Sequence, residues 1–160
     1  MSKIVQFPLP SAAQRPSAHV AARLLDKPPP HTHVVQFYDD REFLFETVAL
    51  FLKSGLDAGE AALIIARPSH RDGILRALDS ATHERAARSD RLVLIDAEAL
   101  LARLMVDDEP DESLLTDALE RVLASVAPTE RTRPAVRAFG EMVDVLWERG
   151  QPAAAIRLEE

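Results

Sequence analysis

One short run constrains this chain more than any other: Ala61-Ala62-Leu63-Ile64-Ile65-Ala66, an unbroken apolar stretch. A half-exposed strand alternates apolar and polar side chains, whereas a continuous apolar run suits a parallel strand covered on both faces. The residues before it fit the same scheme. Val34, Val35, Phe37 and Tyr38 form a short β-rich run over 33–38. Phe43, Leu44, Val48, Phe51 and Leu52 then recur at helical spacings over about 41–54. The stretch 33–66 therefore reads as one β–α–β unit. Asp39 is placed to cap the helix, with Glu42 as its capping-box partner. Gly55 is placed to close it as the left-handed residue of a Schellman turn, with Leu56 folding back on Phe51 or Leu52.

Downstream the pattern repeats. Ser69, after Pro68, can cap a helix that turns Ile74, Leu75 and Leu78 to the core. Residues 80–90 are helix-compatible but carry no apolar stripe. Arg91 to Ile95 is a third strand, and Asp96 caps a short helix bearing Leu100, Leu101 and Leu104. After the acidic loop 107–112, the stretch 111–126 places Leu114, Leu115, Ala118, Leu119, Val122, Leu123 and Val126 on one stripe. Ala135 to Phe139 is a fourth strand. A helix follows from Gly140 to about Arg149, stops at Gly150 and restarts at Pro152. The expected fold is α/β: a three-layer, mostly parallel sheet flanked by helices, with the four strands side by side. The last helix breaks off mid-pattern, so it is expected to be truncated. Residues 1–30, rich in proline, read as a flexible tail with a short helix at 18–25, and residues 31–160 as the folded domain.

Composition removes several function classes. The chain has no cysteine, which excludes thiol catalysis, thiolate zinc and disulfides. No apolar run is long enough to span a membrane, and the start carries no apolar signal core, so the expected location is cytoplasmic. A formal net charge of −7 argues against direct binding to nucleic acid.

The loop after the first strand is where a nucleotide hydrolase would carry its phosphate cradle. Here Tyr38-Asp39-Asp40-Arg41-Glu42 has no glycine to open the backbone and no lysine, and its acids would repel phosphate. There is no Gly-x-Ser-x-Gly elbow for acyl transfer. His31 and His33, two residues apart, would share one face of a strand, and a metal site there would need further ligands from distant parts of the chain. No metal or cofactor is expected. Ligands of open parallel sheets bind beyond the carboxyl ends of the strands, here Tyr38-Asp39-Asp40 and Arg67-Pro68-Ser69. At the fourth strand, Arg137, Phe139 and Glu141 share one face by alternation. A buried Arg137 needs a partner. Two readings stay open: an internal ion pair, such as Glu60 with Arg137, or the polar floor of a small pocket roofed by Tyr38, Phe139 and Trp147. Taken singly, Trp147 and Met142 read as core.

In order, these motifs resemble the MEDS sensory domain family. They are His33-x-x-x-Phe37-Tyr38, then Phe51-Leu52-x-x-Gly55-Leu56-x-x-Gly59-Glu60, then Arg137-x-x-Gly140-Glu141-Met142, with Trp147, Gly150 and Leu158-Glu159. The resemblance covers about residues 31–160. It implies a signal-sensing input module of bacterial and archaeal regulators, joined to histidine kinase or DNA-binding segments and sensing small hydrocarbon derivatives. It also implies a fold like a degenerate RecA/KaiC-type ATPase domain without a phosphate loop. Residues 80–90 lack the glycines of the family pattern between the second helix and the third strand, so that edge is expected to be rebuilt.

The resulting expectation is a non-enzymatic sensory domain of signal transduction or transcription regulation. His33, Tyr38, Glu60, Arg137 and Glu141 are its candidate ligand-binding residues, gathered at the carboxyl edge of the sheet, and no residue is catalytic. The expected partners are a small-molecule effector and an output segment, a histidine kinase or other regulator, reached through the C-terminal helices. Two alternatives stay open: a dimerisation module built on the helices 111–126 and 141–160, and a cryptic enzyme with Glu141 as base.

Overall fold

The computed structural model describes residues 3–6, 25–26, 28–29, 32–35, 38–126 and 134–159. In chain order the elements are β1 (Lys3–Gln6), β2 (Thr32–Val35), α1 (Arg41–Asp57), β3 (Ala61–Ala66), α2 (Pro68–Ala77), α3 (Ser80–Arg88), β4 (Leu92–Asp96), α4 (Ala97–Leu104), β5 (Met105–Val106), β6 (Glu109–Pro110), α5 (Glu112–Ser125), β7 (Val136–Gly140), α6 (Met142–Glu148) and α7 (Pro152–Glu159). The core sheet is parallel, in the order β4-β3-β7. Ala62 pairs with Leu92 on one side of β3 and with Arg137 on the other.

The apolar run 61–66 is this central strand, and every residue of it is buried. Its even positions Ala62, Ile64 and Ala66 pack on one face against Leu44, Phe45, Val48, Leu52 and Leu56 of α1, Ile74 of α2 and Ala86 of α3. Its odd positions Leu63 and Ile65 pack on the other face against Leu100, Leu101 and Leu104 of α4, Val145 and Leu146 of α6, and Ala154 and Ala155 of α7. The α/β three-layer architecture thus follows from period-two alternation in one strand with apolar side chains on both faces.

The expected first strand departs from the scheme. It spans Thr32–Val35 and pairs in parallel with Lys3–Gln6, in a two-stranded ladder separate from the core sheet. Its exposed His33 explains part of this, since a strand covered on both faces has no place for a solvated imidazole. The β-branched pair Ile4-Val5 supplies its neighbour from the segment expected to be a tail. Of the helix expected at 18–25, Leu25 is described and is helical, as is Asp26 beyond it; residues 18–24 lie outside the described residues.

Helix ends shift by a few residues from those expected. Asp40, not Asp39, caps α1, its carboxylate accepting from the Glu42 N–H at 2.9 Å. Helix α1 runs past Gly55 to Asp57, and the Schellman close falls at Gly59 (φ 86°). There the Glu60 N–H donates to Gly55 O and the Gly59 N–H to Leu56 O. Arg67, not Ser69, precedes α2, with Pro68 in the first helical position. Within residues 80–90, Ser80–Arg88 form a helix, α3, capped by Asp79, whose oxygen accepts from the Thr82 N–H. Asp96 caps α4, as expected. The acidic loop is a hairpin turning on Asp107 and Asp108, both at positive φ. Helix α5 has the expected stripe but buries no residue fully. No described helix is long and apolar enough to cross a membrane.

Candidate functional site

Strands β3 and β7 are neighbours, yet the helices that follow them cover opposite faces: α2 lies with α1, and α6 lies with α4. Such a divergence opens a crevice beyond the carboxyl ends of the two strands, where doubly wound sheets place ligands. Glu141 stands in it. Its N–H still donates to Ile65 O at 3.1 Å, so the ladder carries it to the sheet edge, where it begins α6.

Glu141 is 4% exposed. One carboxylate oxygen accepts from the Arg67 backbone N–H and from Arg67 Nε at 3.2 Å. The other lies 2.6 Å from His70 Nδ1. A carboxylate accepts here when the His70 ring carries its proton on Nδ1. The His70 ring stands edge-on to Phe45, with centroids 5.5 Å apart. The Arg67 guanidinium reaches two more acids of α6, Asp144 through Nη2 and Glu148 through Nη1, the latter at 2.5 Å. Tyr38 closes the group, its hydroxyl 3.5 Å from Asp144 Oδ2, a long contact for a hydroxyl donor. Burial, with the Asp144 and Glu141 carboxylates nearby, pushes the Tyr38 phenol up to about 12, so it remains a neutral donor.

A second cluster lies at the other end of the same strands. Arg137, 6% exposed, spends its whole fork. Nε donates to Glu60 Oε2 at 2.7 Å and Nη2 to Glu60 Oε1 at 3.3 Å. Nη1 donates to Phe51 O and to Leu25 O, both at 2.9 Å, and Nη2 to Asp26 O at 3.1 Å. The guanidinium also sits 5.2 Å above the Phe51 ring. The arginine stem explains Gly55, because a Cβ there would fall 2.5 Å from Arg137 Cδ.

The five candidate residues therefore do not share one edge. Tyr38 and Glu141 meet in the carboxyl-end crevice. Glu60 and Arg137 form the internal ion pair at the amino end, because Glu60 precedes β3 and Arg137 is its second-row neighbour across the ladder. His33 is apart from both, with Nε2 3.3 Å from Glu159 of α7. Trp147 is not core: it is 53% exposed on α6. Arg67 lies in the strand end where a ligand is expected from the sequence, whereas His70, Asp144 and Glu148 join the crevice with no role expected of them. Their signal was present. Glu141, Asp144 and Glu148 are spaced three and four apart, which lines three carboxylates along one helix face. Arg67 stands at the end of the apolar strand that must meet them.

No described group of His, Asp and Glu is arranged to hold a metal. Comparison with curated proteins and with solved structures finds no match. The family described as MEthanogen/methylotroph, DcmR Sensory domain (MEDS) matches residues 32–160, a span that contains β2, the whole core sheet, the carboxyl-end cluster and, of the second cluster, Phe51, Gly55, Glu60 and Arg137. The chain belongs to the MEDS sensory domain family.

Proposed function

We propose that this sensory domain is a cytoplasmic, non-enzymatic input module whose effector acts at the crevice between α2 and α6. The observation that carries the reading is the buried Glu141 carboxylate, which ties the two diverging helices together at a switch point of the sheet. The crevice is closed by its own ion pairs, so an effector enters by replacing a bond to Glu141 rather than by filling a void. That calls for a small hydrocarbon derivative with one polar group, its apolar part lying against Tyr38. Freed from Arg67, α6 and the α7 packed behind it change their seat, and an output segment such as a histidine kinase reads the change. Both Glu141 oxygens are engaged, by Arg67 and by His70, in contacts that join α2 to α6, which favours a holding role for this carboxylate over one as a catalytic base.

Trp147 is the sole tryptophan and lies one turn from Asp144 on α6, so its emission reports the helix directly. Short-chain alcohols, amines and halocarbons are titrated against the protein. A true effector shifts the Trp147 emission in the wild type and loses affinity at least about tenfold in Glu141→Gln, as expected for one charge-assisted hydrogen bond. Undiminished binding to folded Glu141→Gln and Arg67→Gln variants would sink the assignment.

A dimerisation module is the second reading, and α5 favours it. Leu114 and Leu123 on that helix, with Trp147 and Ile156 elsewhere, are each 39–56% exposed. Native mass spectrometry separates the two: a monomer with bound small molecule supports the sensor, and a ligand-free dimer lost in Leu119→Ser/Leu123→Ser supports the module.

A further inference from the structure

The Arg137 cluster contains an atom set that the sensory domain itself does not provide. Two of the carbonyls that accept from the guanidinium, Leu25 O and Asp26 O, come from outside the family span 32–160. Both residues are helical, and Pro28 and Pro29 beyond them are not, so these oxygens belong to the last turn of a helix, where carbonyls lack partners within the helix. A second contact fixes the same turn: Ser54 Oγ donates to Asp26 Oδ1 at 2.7 Å. Glu60 holds the guanidinium in plane from one side, the Phe51 ring supports its face, and the glycine at 55 gives its stem room to lie flat. Of the remaining N–H groups one goes to Phe51 O, and the other two are thereby aimed at the 25–26 turn.

We propose that Arg137, Glu60, Phe51 and Ser54 form a docking notch for the carboxyl-terminal end of a helix bearing an acid in its last turn, and that the chain's own Leu25–Asp26 occupies it. The N-terminal segment is then a strap seated on the domain. Its release strips two acceptors from the guanidinium and uncovers the Arg137–Glu60 pair, whose charge-assisted bonds weaken once water reaches them. Docking of the strap and integrity of the Arg137–Glu60 pair are therefore linked. A partner that takes hold of residues 1–31 must break the seat first.

The sequence supplies a clean test in the full-length protein. Arg15 and Lys27 each precede proline, so trypsin can cut the first 30 residues only after Lys3 and after Arg23. Arg23 lies two residues before Leu25. When opening is fast relative to cleavage, the rate of the Arg23 cut reads the population of the released strap. Wild type is expected to resist at Arg23. Arg137→Lys, which keeps the charge but loses the fork, is expected to raise that rate about tenfold or more, and Ser54→Ala about threefold or more. Cleavage after Arg71 and Arg85, inside the domain, monitors global opening. An Arg23 cut in wild type as fast as in an unstructured peptide overturns the proposal. If Arg137→Lys unfolds and the inner sites open with it, Ser54→Ala decides. An unchanged Arg23 rate in Ser54→Ala refutes the notch, and a selective rise with the inner sites still protected supports it.

Discussion

Gly55 and Gly73 sit inside helices, where glycine costs about 1 kcal/mol relative to alanine. Each is kept by what presses on it. A Cβ at Gly73 would stand 2.4 Å from the Phe45 ring, and one at Gly55 would meet the Arg137 stem. Phe45 in turn supports His70. Overpacking costs about 1–3 kcal/mol, which exceeds the propensity gain. Gly73→Ala is expected to lower stability by about 1–2 kcal/mol, and Gly55→Ala to do the same, measured by urea unfolding. A gain in either would show that the neighbour yields freely. Tyr38 offers a second check, since it is the only tyrosine. Absorbance titration near the phenolate band should place its ionisation at about 12, above the usual 10. The sign follows from burial disfavouring the anion: between the unfolded value and the folded one, the native state holds the proton more tightly. The stability this contributes is complete below pH 10 and lost as pH rises through about 12. A midpoint near 10 in the folded protein would remove Tyr38 from the crevice. At this scale the sequence was half legible. It exposed Arg137 and Glu141 as charges beside apolar runs. It could not say that Arg67 would turn toward α6, because that choice is made by a helix some 75 residues away in the chain, Asp144 and Glu148 lying at separations of 77 and 81.

The elements divide by how much each buries. Helix α1 has seven buried residues and β3 is buried throughout, whereas α5 has none, despite the cleaner stripe. Periodicity reports that a helix has an apolar side, and not how completely another element covers it. On α5 the half-buried line is Leu115, Ala118 and Val122, against α4 and its neighbours, with Leu114 and Leu123 left exposed. Helicity of α5 thus leans on its cap: Asp111 accepts from the Leu114 N–H at 3.0 Å. Local opening free energy tracks buried apolar contact. Amide exchange is therefore expected to open α5 well below the global unfolding free energy, while α1 and β3 exchange only with it. Asp111→Ala should lower the α5 barrier by about 1 kcal/mol and leave α1 unchanged. Equal protection of α5 and α1 would contradict this ranking and point to a partner on the exposed flank. The same limit explains the misplaced helix end at Gly55. Two glycines four residues apart were each fit to close α1, and the arginine that requires the first arrives from β7, across the sheet.

For the molecule as a whole, β3 and β7 act as a pair of rails with an ion-pair cluster at each end. The parallel, doubly covered sheet was legible because one run of six residues demands two apolar layers. The partition of the polar residues was not, since alternation fixes a side chain's face and leaves open which end of the strand supplies its partner. Glu60 and Arg67 flank β3 on opposite sides, and seven residues of extended chain separate the clusters by roughly 20 Å. They share no side chain: Glu141 answers to α2 and α6, while Arg137 answers to α1 and the N-terminal segment. If the effector signal leaves through α6 and α7, the amino-end pair is scaffold for that event and takes no part in it. A double-mutant cycle measures this. Glu141→Gln and Glu60→Gln are each expected to cost about 1.5–3 kcal/mol, the range for hydrogen bonds to charged groups. The double variant should equal their sum within about 0.5 kcal/mol, as for sites more than 10 Å apart with no common partner. A coupling energy above about 1 kcal/mol would mean that the rails transmit strain between the ends. In that case the strap seated on Arg137 and the crevice at Glu141 would be two inputs to one switch, and the two ends of the strands would not act independently.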